Sequence, residues 1–180
     1  MANPTGEATA GIKADLRGSL IIDALAKAKI DHAIAVPDIV TARGVLTPLA
    51  KDPRFKLIRV CKEDECIGIS AALAVCGRRA VNLFQNTGFL DSINAITHIA
   101  VHYDLPIIMV IGLLAHTAGT IPRDSQRVAI RVVEPMLESL GVESILVDRD
   151  ADTDEIAPRI DAAYATSKPL AILIGRRPVP

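Results

Sequence analysis

The run Pro106-Ile107-Ile108-Met109-Val110-Ile111-Gly112 contains no polar side chain. A strand with one face in water alternates apolar and polar residues. A run that is apolar at both parities needs cover on both faces, as the inner strands of a parallel sheet have. Five further short runs have strand character: Ala33–Val36, Lys56–Cys61, Ala80–Gln85, Ser144–Val147 and Leu170–Ile174. The stretches between them carry apolar residues at helical spacing. These are 13–29 (Leu16, Leu20, Ile21, Leu25), 39–50 as helix or helical turns with Pro48 inside, 64–76, 88–102, 125–140 ending at Gly141, and 153–166. Residues 113–124, with Gly119 and Pro122, read as an irregular excursion. Strand and helix in alternation predict the α/β class, a three-layer α/β/α sandwich around a six-stranded parallel sheet. No shift in composition divides the chain, so 13–180 is expected to form a single domain behind a flexible N-terminal tail, 1–12.

A chain of 180 residues is long enough to bury a sizeable core, and with 50% hydrophobic but only 3% aromatic residues and no Trp that core must be aliphatic. Twenty basic against 21 acidic residues leave a formal charge of -1 and exclude a polyanion-binding surface built on basic excess. No apolar run approaches the roughly 20 residues that cross a bilayer, and Met1–Gly11 lacks the layout of a signal peptide. A cytoplasmic location with Cys61, Cys66 and Cys76 reduced is the expectation. Cys61 and Cys66 have a spacing that can serve a metal, but no second ligand pair accompanies them, and no metal site is expected.

Two loops leaving consecutive strands concentrate the candidate chemistry. One is Val60-Cys61-Lys62-Glu63-Asp64-Glu65-Cys66-Ile67-Gly68, the other Phe84-Gln85-Asn86-Thr87-Gly88. In a parallel sheet both lie at the carboxyl ends of strands, where ligands bind. Three consecutive acids suit the positive end of a following helix. A general acid/base needs one of them turned inward and partly desolvated, and Glu63, nearest the strand, is best placed. Gln85, Asn86 and Thr87 serve as turn and cap residues, or offer neutral donors and acceptors to a bound ring or carbonyl; Thr87 can cap the helix that follows. Asp38, after Pro37, faces the same rim or caps a helix. His116, on the excursion after Gly112, can bring a titrating imidazole to the site. His98 and His102 stand four apart, yet Ile99 occupies the place of the metalloprotease glutamate, and they read as interior or interface residues. The chain has no dinucleotide fingerprint, no P-loop and no G-x-S-x-G elbow.

Four segments together resemble the pyrimidine-binding (Pyr) domain of thiamine-diphosphate-dependent enzymes: Val36-Pro37-Asp38; Cys61-Lys62-Glu63 with Ile67-Gly68; Gln85-Asn86-Thr87-Gly88 continuing to Asn94; and Leu105-Pro106 through Ile111-Gly112. The resemblance runs from about residue 14 to 175 and is nearest to members that decarboxylate sulfopyruvate or phosphonopyruvate. It implies the Pyr-type thiamine-diphosphate-binding fold and a lyase that decarboxylates a 2-oxo acid through ylid attack on the carbonyl. It further implies that Glu63 hydrogen-bonds the aminopyrimidine ring and shares a proton with it, while Asp38, Gln85, Asn86 and Thr87 line the cofactor. His116 is expected to join Glu63 in catalysis. Single-chain relatives bind magnesium and diphosphate through a Gly-Asp-Gly motif in a second domain, and this sequence has no Gly-Asp dipeptide. The chain is therefore expected to act as an alpha subunit in a hetero-oligomer, with a beta subunit holding Mg2+ and the diphosphate.

Two departures bear on substrate. Relatives typically show Gly-Trp-Arg-Gly after the fourth strand, and this chain has Gly112-Leu113-Leu114-Ala115-His116. Ala35 and Ile39 stand where relatives prefer glycine and serine. A dianionic substrate loses a charge partner unless Arg123 supplies it. A less charged 2-oxo acid or another ketone is an equal expectation. Other readings are a non-catalytic assembly subunit of this fold and a flavodoxin-like small-ligand module.

Overall fold

A computed structural model of the chain describes residues 15–180; the expected tail, 1–12, lies outside them. Six strands, β1 (His32–Ala35), β2 (Lys56–Arg59), β3 (Ala80–Gln85), β4 (Ile108–Gly112), β5 (Glu143–Val147) and β6 (Leu170–Ile174), form one sheet in the order β2-β1-β3-β4-β6-β5. Every pairing is parallel, as the apolar runs predicted. The registers align the carboxyl ends: Ala35 is beside Leu83, Gln85 beside Gly112, and Gly112 beside Ile174.

Alternate strand residues feed two cores. Ala33, Ala35, Val81, Leu83, Val110 and Ile172 pack against Ile21 and Leu25 of α1 (Gly18–Lys27), Leu49 of α2 (Thr47–Leu49), and Ile156 and Ile160 of α8 (Ile156–Thr166). Ile34, Phe84, Met109, Ile111 and Leu173 pack on the other face against Ile67 of α3 (Glu63–Val75), Phe89 of α4 (Asn86–Asp91) and Leu137 of α7 (Val133–Ser139). Each fully buried Leu or Ile contributes roughly 1.5–3 kcal/mol. No helix of the described residues is long and apolar enough to cross a membrane.

Three helical stretches are interrupted within their expected bounds, each for a local reason. In 39–50, Pro48 has no N–H to give the Gly44 carbonyl. The chain widens into a π-helical turn, Ala42–Leu46, before α2. The expected helix 88–102 starts two residues earlier, at Asn86, and breaks at Ser92 before α5 (Ile93–Ala95) and a π-helical segment, Ile96–Val101. Thr97 Oγ1 donates to the Ile93 carbonyl at 2.8 Å there, a back-bond that competes with the regular ladder. The expected helix 125–140 is divided at Val132 into α6 (Val128–Arg131) and α7, because Pro135 cannot donate to the Arg131 carbonyl. Gly141, at φ 68, closes it as expected.

From β1 the chain steps to the sheet edge at β2, whereas from β3 it steps the opposite way to β4. The two connections therefore leave on opposite faces, which makes the carboxyl ends of β1 and β3 a switch point of the kind where ligands bind in such sheets. The Asp38 and Gln85–Gly88 loops border it. Helix α3, crossing from β2 back to β3, brings its N-terminus to the same rim.

Candidate active site

The three acids at the head of α3 have different surroundings. Glu65 Oε2 accepts from the backbone N–H groups of Cys61 at 2.9 Å and Lys62 at 3.3 Å, which is N-terminal capping. Asp64 is 3.5 Å from Lys62 Nζ, and the same ammonium reaches Asp91 on α4 at 3.1 Å. Asp91 foremost raises the Lys62 pKa. These two acids serve the helix end. Glu63 has no hydrogen bond or ion pair with another described residue; it is half-buried and lies against Gly88. A Cβ at Gly88 would fall 2.3 Å from Glu63 Cγ and 2.4 Å from its Oε1, so only glycine leaves the carboxylate this place. Behind it, burial foremost and then the Glu63 charge push the Cys66 thiol up to about 12.

Asp38 is buried and its carboxylate is engaged by the chain. Oδ1 accepts from Val40 N at 2.6 Å and Thr41 N at 3.0 Å, and Oδ2 accepts from the Thr41 hydroxyl. It caps the turn after β1 and packs on Gly112, where a Cβ would meet Oδ1 at 2.9 Å. Asn86 is also buried, with Nδ2 donating to the Ala129 carbonyl at 2.8 Å and Oδ1 accepting from Leu114 N at 3.0 Å. Thr87 does not cap α4: the helix begins before it, and its hydroxyl donates to Gln85 Oε1 at 3.0 Å on the rim.

His116 follows Ala115, which holds a left-handed φ of 62 without being glycine. Both ring nitrogens of His116 are closed off from solvent and unpartnered. An unsatisfied buried polar atom costs about 1–3 kcal/mol, and such strain and orphaned groups cluster at functional sites. His116 stands on the excursion 113–127, which also walls a hollow of about 490 Å³ lined by Ala115, Thr117, Thr120 and Arg127, among others. Arg123 is engaged by Glu138 of α7. His98, on the π-helical segment, and His102, directly after it, are exposed, so the interior reading does not hold for them. That segment packs through Ile96 and Ala100, which turns the two histidines outward. Among the described residues no three His, Cys, Asp or Glu side chains cluster to hold a metal ion.

One contributor escapes a reading of the sequence. Asp148, buried after β5, accepts from Gly119 N in the excursion and from Arg176 Nε at 3.2 Å. In the sequence it belongs to Val147-Asp148-Arg149-Asp150, which has the look of an ordinary charged turn.

Fold and site together define a doubly wound parallel α/β protein that offers a free carboxylate, an imidazole and an amide at the carboxyl rim. No family model matches the chain. It is similar to the sulfopyruvate decarboxylase subunit alpha of Methanothermobacter thermautotrophicus, 29% identical over 148 residues, 82% of this chain and 88% of that one. The same subunit of Methanocaldococcus jannaschii is 32% identical over 98 residues, 54% of this chain and 57% of the relative. That of Methanococcus maripaludis is 32% identical over 92 residues, 51% and 54%. The expected likeness to sulfopyruvate decarboxylase alpha subunits is thus shown.

Proposed function

We propose that the chain is the alpha subunit of a cytoplasmic, two-chain thiamine-diphosphate-dependent lyase that decarboxylates a 2-oxo acid. The names of its relatives support a decarboxylase subunit and, through the word alpha, a partner chain. One observation carries the site: Glu63, alone among the three acids, keeps an uncommitted, half-buried carboxylate, on a glycine that makes room for it. That carboxylate fits the pyrimidine end of the cofactor. Thiamine diphosphate, when bound, supplies a carbon nucleophile and an electron sink.

This chain's residues handle protons and position. Glu63 holds or gives up a proton at a ring nitrogen, a role open to it because no other group of the chain claims its carboxylate. Gln85 and Thr87, joined on the rim, offer an amide N–H and a hydroxyl oxygen beside it. Asp38 shapes the β1 exit against Gly112 and acts from behind. His116, with both nitrogens unclaimed by the chain, serves the substrate side as proton donor or acceptor. Mg2+ and the diphosphate fall to the beta subunit. With Arg123 held by Glu138, a sulfopyruvate- or phosphonopyruvate-like acid and a less charged 2-oxo acid are both substrates to test.

The assembled alpha and beta chains, with Mg2+ and thiamine diphosphate, are expected to release carbon dioxide from a 2-oxo acid. Glu63→Gln should lower that rate by about 10²–10⁴-fold, the usual worth of a general acid/base. A near-normal rate in this variant removes Glu63 from the chemistry. Cleavage of a ketone without carbon dioxide release would favour the other lyase reading. Silence of every assembled pair would favour a non-catalytic assembly subunit.

A further inference from the structure

We infer that Asn86 is a positioning residue for His116, a buried strut that joins the two ends of the 113–127 excursion, and not a cofactor contact. The inference rests on the proposed function for what His116 does, but the strut itself stands on geometry. Asn86 is 1% exposed and both atoms of its amide are already engaged by the backbone, unlike the unpartnered ring nitrogens of His116. Its Oδ1 accepts from Leu114 N at 3.0 Å, where the excursion begins, and its Nδ2 donates to the Ala129 carbonyl at 2.8 Å, in the helix where it ends. One side chain thus fastens both ends of a segment that has a single helical turn of its own, Pro122–Asp124. The middle is held separately, by Asp148 at Gly119.

The chemistry of the position requires an amide. One partner is an N–H and the other a carbonyl, so the side chain must accept at one atom and donate at the other. Aspartate keeps the acceptor for Leu114 but turns an oxygen on the Ala129 carbonyl. Alanine leaves both groups, each partly buried, without that partner. The anchored N–H is two residues from His116. Between them Ala115 is in the left-handed region, and His116 N donates to the Leu113 carbonyl at 3.2 Å. Leu113 N donates to the Ile174 carbonyl at 3.0 Å, and the Asn86 bond fixes the next N–H, so the turn is pinned directly before the left-handed Ala115. Asn86 also opens α4, whose Gly88 carries Glu63.

The test combines exchange in the chain alone with turnover in the assembled protein. In Asn86→Ala the Leu114 amide should exchange at least about tenfold faster, the size expected when a hydrogen bond is lost, with Val110 and Ile172 unchanged. Unchanged Leu114 exchange overturns the strut. In the assembly, Asn86→Ala and Asn86→Asp should each lower kcat/KM about 10–100-fold, leave thiamine diphosphate affinity within about twofold, and add nothing to the loss caused by His116→Ala. A multiplicative loss in the double variant, or a cofactor affinity weakened more than about tenfold with kcat retained, overturns the positioning role. Should Asn86→Ala fail to fold, Asn86→Asp, which keeps the Leu114 bond, carries the kinetic comparison. An assembly with no turnover in the unaltered protein sinks the proposed function, while Leu114 exchange still decides the strut.

Discussion

Glu63, Asp64 and Glu65 are the same chemistry in three surroundings, and only the surroundings separate capping from catalysis. Glu65→Ala should cost about 1 kcal/mol of stability in urea unfolding, the usual value of a lost cap, and leave turnover unchanged. Gly88→Ala puts a methyl where the Glu63 side chain lies, 2.3 Å from its Cγ. It should reduce carbon dioxide release toward the Glu63→Gln level with a smaller change in melting temperature. Cys66 gives a prediction against pH. Burial, then neighbouring carboxylates led by Glu63, raise its pKa from 9.0 to about 12 in the folded chain. The folded state therefore holds a proton that the unfolded state releases between those values. This contribution is complete below 9.0 and is lost as pH rises through about 12. Urea midpoints should fall less steeply with alkaline pH in Cys66→Ala than in the unaltered chain. Thiol reagents should label the exposed Cys61 and Cys76 and spare Cys66.

At the scale of elements, prolines and glycines decide how helices meet. Pro48 frees the Gly44 carbonyl, and α1 uses that carbonyl as its seat: a Cβ at Gly18 would be 1.7 Å from Gly44 O. Gly44 in turn lies under Pro178, with a Cβ there only 2.2 Å from its carbonyl oxygen. The C-terminal segment is held in the same joint, since Gly18 N donates to the Val179 carbonyl at 2.7 Å and Val179 N to the Leu16 carbonyl at 2.8 Å. Gly18→Ala should therefore destabilise the chain by at least about 1–3 kcal/mol, the cost of overpacking, because backbone must move on both sides. Thermal or urea unfolding checks it, and a loss below about 0.5 kcal/mol, the range of a neutral surface change, would show the joint to be looser than the geometry implies. Periodicity placed these helices correctly but ran through Val132 and Ser92. Apolar spacing reports which face is buried, not where a carbonyl loses its donor.

Over the whole molecule, loops from three strands carry exposed apolar side chains at one rim. Ile39 follows β1, Ile121 and Val128 belong to the β4 exit, and Val179 follows β6; they are 59%, 62%, 59% and 41% exposed. On the proposed function the beta subunit covers this rim. Ile121→Asp should then weaken assembly, read by sedimentation, without changing the melting temperature of the lone chain. Unaltered assembly would place the partner elsewhere. The sequence alone determined the six strands, their parallel sense and the aliphatic core, because fully apolar runs divided by helical segments leave no other cover for both sheet faces. It also pointed to the loops that matter, through acids and amides placed directly after strands. Strand order, and with it the switch point between β1 and β3, came only from the tertiary structure, since a connection in a sequence has no direction across a sheet. The tertiary structure likewise told Glu63 from its neighbours, gave Asn86 to the excursion and brought Asp148 to Gly119. A carboxylate or amide becomes a cap, a strut or a proton carrier according to which partners reach it, and those partners come from distant parts of the chain.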